Sequence, residues 1–147
     1  MNDKGGESGH GLLSGTVSYG MKRAYRRVIR DLEEALQPHG FTPPLLAALS
    51  ISADSPGMAP AHLAEAMGHG RSRAAPLLDR LEGDGLLERR AGTDRRSLGL
   101  YVTPQGAAVL QRLRPILTAH ERRITAGLAP AEARALAALL ERVAQAG

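Results

Sequence analysis

The sequence predicts a mainly α-helical protein carrying one small β-hairpin, on three observations. Apolar residues recur at the 3.6-residue spacing of helices over most of the 147 residues. Two helix starts are marked by a capping hydroxyl followed by proline, at Thr42-Pro43 and Thr103-Pro104. Between Leu86 and Thr103 the period changes to two, the alternation of paired strands.

Met1 to Gly11 is polar and glycine-rich and reads as a flexible arm. A long helix follows, from Leu12 or Ser14 to about Gln37. Met21, Ala24, Tyr25, Val28, Leu32, Ala35 and Leu36 lie on or near its apolar side. Lys22, Arg23, Arg26, Arg27 and Arg30 share the other side, where Asp31 and Glu34 stand at pairing distance in sequence. Pro38-His39-Gly40 ends the helix. The second helix starts at Thr42-Pro43, buries Leu45, Leu46, Leu49 and Ile51, and stops near Ala53 before the turn Asp54-Ser55-Pro56-Gly57.

The most informative stretch comes next. A short helix over Ala61–Met67 breaks at Gly68-His69-Gly70, and another runs from Ser72 to Gly83. At 100° per residue Ala74, Leu77, Leu78 and Leu81 fall on one side of the latter, Arg73, Pro76 and Arg80 on the opposite one. Two helices about a glycine-bearing turn, the second with a buried stripe and a basic exposed stripe, follow the helix-turn-helix plan. A hairpin succeeds them: Leu86 to Arg90, a polar tip from Ala91 to Arg96, and a return strand with Leu98, Leu100 and Val102 on one face. The whole is a winged helix-turn-helix, and its expected partner is double-stranded DNA.

Beyond the hairpin a long helix runs from Pro104 to about Ala126, with Pro115 expected to kink it. A last helix spans Ala131–Ala146, with Leu136, Leu139, Leu140 and Val143 on one side. The winged unit is complete without these helices or the first one. Their long apolar faces are best used against a second copy of the chain. By length the chain is one domain, with a helical dimerisation region (12–37 and 104–147) around a DNA-binding region (42–103).

Base contacts are expected from Ser72, Arg73 and Pro76 near the start of the second motif helix, with Arg80 on a phosphate or on its neighbours. The hairpin brings Arg89, Arg90, Arg95 and Arg96, and arginine suits a narrow minor groove. Asp94, two residues from Arg96, can hydrogen-bond that guanidinium and aim it. From Ala59 to Thr103 seven arginines face six carboxylates, so placement rather than bulk charge must govern binding.

Leu63-Ala64-Glu65-Ala66-Met67, the run Leu77 to Arg90 with Asp79-Arg80-Leu81-Glu82 and Gly85, the triplet Asp94-Arg95-Arg96, and Leu100-Tyr101-Val102-Thr103-Pro104-Gln105-Gly106 resemble the MarR family of bacterial transcription regulators. The flanking helices fit the same layout, so the resemblance spans almost the whole chain. It implies a homodimer on a pseudo-palindromic operator, more often a repressor than an activator, whose terminal helices interlock. It also implies a short third strand near Met58 and Ala59, and an aspartate–arginine pairing at the wing tip. The family often has threonine where Arg73 stands and a polar or basic residue where Pro76 stands, so base preference does not carry over. Release from DNA by a small aromatic, phenolic or lipophilic acid is implied too, in a pocket between the first, second and fifth helices. Candidate lining residues are Tyr19, Arg23, Tyr25, Arg26 and Leu46.

Composition sets the bounds. A net charge of +4 is compatible with DNA, and aromatics at 3% leave a core of Leu, Ala, Val and Ile. With no cysteine, disulfides, thiolate metal sites and thiol redox sensing are excluded. His10, His39, His62, His69 and His120 lack the i,i+3 or i,i+4 spacing of a helical metal site, so no metal or other cofactor is expected. A metal-responsive regulator and a ligand-independent architectural protein are the alternatives. No catalytic pattern or phosphate-cradling glycine loop appears, which argues against an enzyme. No run has the length of a membrane span, and a cytoplasmic location is the expectation.

Overall fold

The computed structural model describes residues 11–91 and 98–146, in six helices and one hairpin. After a 3₁₀ turn at Gly11–Leu13 come α1 (Val17–Leu36), a 3₁₀ turn at Gln37–His39, and α2 (Pro43–Asp54). Then follow α3 (Pro60–Ala66), α4 (Arg71–Gly83), β1 (Leu87–Ala91), β2 (Leu98–Val102), α5 (Pro104–Ile124) and α6 (Pro130–Gln145). No helix among the described residues is long and apolar enough to cross a membrane.

α1 begins at Val17, later than the apolar pattern suggests. Gly15 takes φ +78°, a left-handed conformation, and Thr16 is extended while its hydroxyl donates to the Leu13 carbonyl at 2.8 Å. That local bond competes with helical hydrogen bonding and delays the start of α1 to Val17. The hydroxyl-proline starts behave as read. Thr42 accepts from the Leu45 amide at 3.4 Å, and Thr103 accepts from the Gly106 amide at 3.0 Å. α5 runs as one helix through Pro115, whose ring removes only the bond to Gln111.

α2 is the hub, touching α1, α3, α4, α5 and β2. It buries Leu45, Leu46, Ala48, Leu49 and Ser52, too wide a set for one stripe. The Ser52 hydroxyl satisfies itself on the Ala48 carbonyl at 2.8 Å. Around the fully buried Leu49 of α2, the residues Leu36, Leu63, Leu81, Leu100 and Leu113 are fully buried too, one leucine each from α1, α3, α4, β2 and α5. Phe41, the only phenylalanine, closes the edge of this core.

The strands are antiparallel, Leu87 opposite Val102 and Ala91 opposite Leu98. An isolated bridge pairs Met58 with Leu100, through Gly57 N–H to Leu100 O at 2.8 Å and Leu100 N–H to Met58 O at 2.9 Å. This is the rudimentary third strand implied by the resemblance. The expected alternation of β2 is modified at its tip end. Leu98 keeps the inner direction but stands at the lip, half exposed, while Gly99 on the outer face is buried against the Gly57 backbone. At the other end the α5 backbone crosses so close to Leu86 that a side chain at Gly106 would collide with the Leu86 carbonyl and Val102.

The apolar sides of α1 and α6 are only partly used. Val28, Leu32 and Leu36 pack inward, but Val17 and Tyr25 are exposed, Tyr25 at 63%. α6 buries no residue at all; Leu136, Leu139, Leu140 and Val143 stay exposed. Together with Gly20, Met21 and Ala24 of α1 they line an apolar groove of about 690 Å³.

Candidate nucleic-acid interface

α4 is held by its buried side and shows its other side to solvent. Ala74, Leu78 and Leu81 enter the core, while Arg71, Ser72, Arg73, Pro76 and Arg80 are exposed. The turn before it is short: Gly68 N–H reaches Glu65 O at 2.9 Å, His69 N–H reaches Ala64 O at 2.8 Å, and Gly70 caps α4. Arg71, Ser72 and Arg73 are thus its first three residues, at the positive end of the helix dipole. Arg71 was missed in the sequence because its helix seemed to start one residue later. The Gly70 cap was the available signal.

Pro76 lies in the second turn of α4, not in the first turn where it would be free of cost. It leaves the Ser72 carbonyl without its helical donor, beside the exposed Ser72 and Arg73 side chains. Arg80 is tied to Asp84 at 2.7 Å, an exposed i,i+4 pair at the end of α4.

Arg89, grouped with the wing contacts in the sequence, turns the other way. Its Nε lies 3.0 Å from Glu82 and its Nη2 3.4 Å from Asp79, so it straps β1 onto α4. Arg90 pairs with Glu88 at 2.7 Å and stacks over Tyr101, 4.3 Å from the ring centre. These two arginines fix the base of the hairpin. Asp94, Arg95 and Arg96 lie outside the described residues.

The five residues read as a ligand site do not share one cavity within the chain. Leu46 lines a cleft of about 620 Å³ between α2 and α5, with Ser50, Asp54, Gln111 and Arg114 as its polar groups. Arg23 and Arg26 open instead onto a separate recess on α1, Tyr19 is half-buried, and Tyr25 is exposed. The α2–α5 cleft could not be seen in the sequence, because its two walls are about sixty positions apart.

Asp31, expected to pair along its own helix, is turned onto α5. It accepts from Arg123 Nη2 at 2.7 Å and Nε at 2.9 Å, and meets His120 Nδ1 at 2.7 Å. The Arg123 hydrogen bonds first, then that of His120, hold the Asp31 carboxyl well below the usual carboxylate range, and Asp31 in turn raises Arg123. Among the described residues no group of three or more His, Asp or Glu could hold a metal ion; His10 lies outside them.

Comparison with known proteins agrees with this architecture. The MarR family model matches residues 39–97. A putative transcriptional regulatory protein for the hcr operon of Thauera aromatica is 31% identical over 136 residues, covering 91% of this chain and 82% of that protein. The transcriptional repressor CouR, solved on a 23-mer DNA duplex, is 34% identical with a TM-score of 0.84, covering 91% of this chain and 96% of that one. The Mycobacterium tuberculosis MarR family protein Rv2887, solved with salicylic acid, is 27% identical with a TM-score of 0.73, covering 87% and 96%. With a helix-turn-helix anchored on a leucine core, a strapped hairpin beside it and these relatives along nearly its full length, the chain belongs to the MarR family of transcriptional regulators.

Proposed function

We propose that this protein is a sequence-specific repressor that binds double-stranded DNA as a homodimer and is released by a small acidic ligand. The observation that carries the reading is the first turn of α4. Arg71, Ser72 and Arg73 are exposed together on a helix whose opposite side is locked in the core. A helix so mounted enters the major groove, with Arg73 set for bidentate contact to guanine O6 and N7. Arg71 and Arg80 flank it toward phosphates, and Arg96, aimed by Asp94, reads the adjacent minor groove with Arg95 beside it. Arg89 serves by holding the hairpin in place rather than by touching DNA.

The partner for the apolar groove of α1 and α6 is a second copy, which sets two α4 helices about one helical turn apart on a pseudo-palindrome. The effector enters the α2–α5 cleft. Its walls include Leu46, Ile51, Leu110 and Leu117, and Arg114 supplies a cation for a carboxylate. The relative solved with salicylic acid supports this ligand class, and the relative solved on a duplex supports the DNA partner.

The test is a gel shift on DNA upstream of the protein's own gene at two salt concentrations, with Arg73→Ala and Arg96→Ala beside wild type. Saturable binding to one site, weakened by salt and lost in both variants, is the expected result. Equal binding to any duplex, indifferent to Arg73→Ala, would replace the regulator by an architectural protein.

A further inference from the structure

Pro76 carries a cost that nothing in the fold offsets. It is the sixth residue of α4, past the first turn, and its ring removes the helical bond to the Ser72 carbonyl and crowds that oxygen. A proline so placed would be compensated by burial, yet Pro76 is exposed and takes no part in the leucine core. A break in a local rule without gain to the fold marks a position used for something else.

Its direction says what that use is. Ala74, Leu78 and Leu81 fix the buried side of α4, and at 100° per residue Ser72, Pro76 and Asp79 point most nearly away from it. Past the first turn the polar side chains of the exposed side have partners in the fold. Arg80 is tied to Asp84 at 2.7 Å, and Asp79 lies 3.4 Å from Arg89. The middle of the side offered to the groove is therefore a rigid apolar ring with neither donor nor acceptor. Every base pair shows donors and acceptors in the major groove, but in unmodified DNA the thymine 5-methyl is the apolar group there. Proline loses no rotamer freedom when covered, and its short ring lets the helix come close.

We infer that Pro76 reads the 5-methyl group of one thymine in each half-site. This rests on the repressor reading and adds a base to it. Pro76 stands about 4.5 Å beyond Arg73 along the helix axis, which sets the thymine within about two base-pair steps of the guanine that Arg73 contacts.

A duplex selected from a random pool by the full-length protein supplies the operator, and fluorescence anisotropy measures its binding. Each thymine of a half-site is replaced in turn by deoxyuridine, which lacks only the methyl group. Wild type should lose about fourfold in affinity at one position per half-site, as expected for one buried methyl group. With the pair at that position changed to C·G affinity should fall, and 5-methylcytosine in place of that cytosine should bring part of it back. Pro76→Gln restores the helical N–H and puts a polar side chain in the groove. It should melt above wild type and bind the thymine and deoxyuridine duplexes within about twofold of each other. The opposite signs of the two effects separate a reading role from a folding one. Lower melting of Pro76→Gln, undiminished thymine preference in that variant, no position sensitive to deoxyuridine, or no recovery with 5-methylcytosine would each overturn the inference. A specific duplex bound without regard to any methyl group would do so while leaving the repressor reading intact, whereas failure to select any duplex would overturn both.

Discussion

Arg73 and Asp31 show two ways in which one residue acts. Arg73 is exposed at the head of α4 with no ion-pair partner among the described residues, so under the proposed repressor reading its cost on removal belongs to binding. Arg73→Ala should weaken operator binding by about 1–3 kcal/mol and narrow the gap between operator and unrelated duplex, with thermal melting unchanged; competition gel shifts measure both. Asp31 acts on folding. Its pKa is depressed in the fold, so its stabilisation is complete above the unfolded carboxylate value near pH 4 and fades as pH falls below it. Asp31→Asn should melt several degrees below wild type at pH 7, and the gap should narrow at pH 3, as followed by circular dichroism. Neither Asp31 on α5 nor Arg89 on Asp79 and Glu82 was legible in the sequence. Arg27 and the hairpin tip were the nearer partners by position, and only the packing of α1 on α5 and of β1 on α4 brings the others closer. What was legible about the site was its exposed face, because Arg73, Pro76 and Arg80 follow from periodicity alone.

At the level of elements the local signals held. Thr42-Pro43 and Thr103-Pro104 opened helices, and the glycines of 68–70 and 83–85 separated them, since capping and turn chemistry are decided within a few residues. The start of α1 was misplaced because apolar periodicity does not register a hydroxyl that folds back at Thr16. Thr103 does more than cap. Its hydroxyl oxygen accepts from Gly106 N–H while its O–H donates to Gly85 O at 2.7 Å, so one side chain joins the α4–β1 turn to the head of α5. Thr103→Val should cost about 1–2 kcal/mol in urea denaturation, since both bonds go while shape is kept. Gly106→Ala should cost about 1–3 kcal/mol by the same measure, because the methyl group must displace the Leu86 backbone. α5 thus starts against the hairpin and ends at the Asp31 latch, a continuous rod between the two halves of the chain.

The whole molecule exposes leucines that a monomer would have little reason to keep. Leu139→Glu with Val143→Glu should turn the proposed dimer into a monomer in analytical ultracentrifugation and remove the concentration dependence of melting. Operator affinity should fall with it, because two half-sites are no longer bound together. The sequence carried this feature as apolar spacing in α6, but not its placement opposite α1, which depends on the return path of the chain. The paired strands add a last consequence. Met58 covers one side of β2, so the open rim of the sheet is β1, and β1 carries Glu88, Arg89 and Arg90. A charged rim of this kind resists pairing with the rim of a neighbouring molecule. Concentrated protein should therefore self-associate through helices in closed, countable assemblies, while the hairpin stays free of the open-ended strand stacking that leads to fibrils.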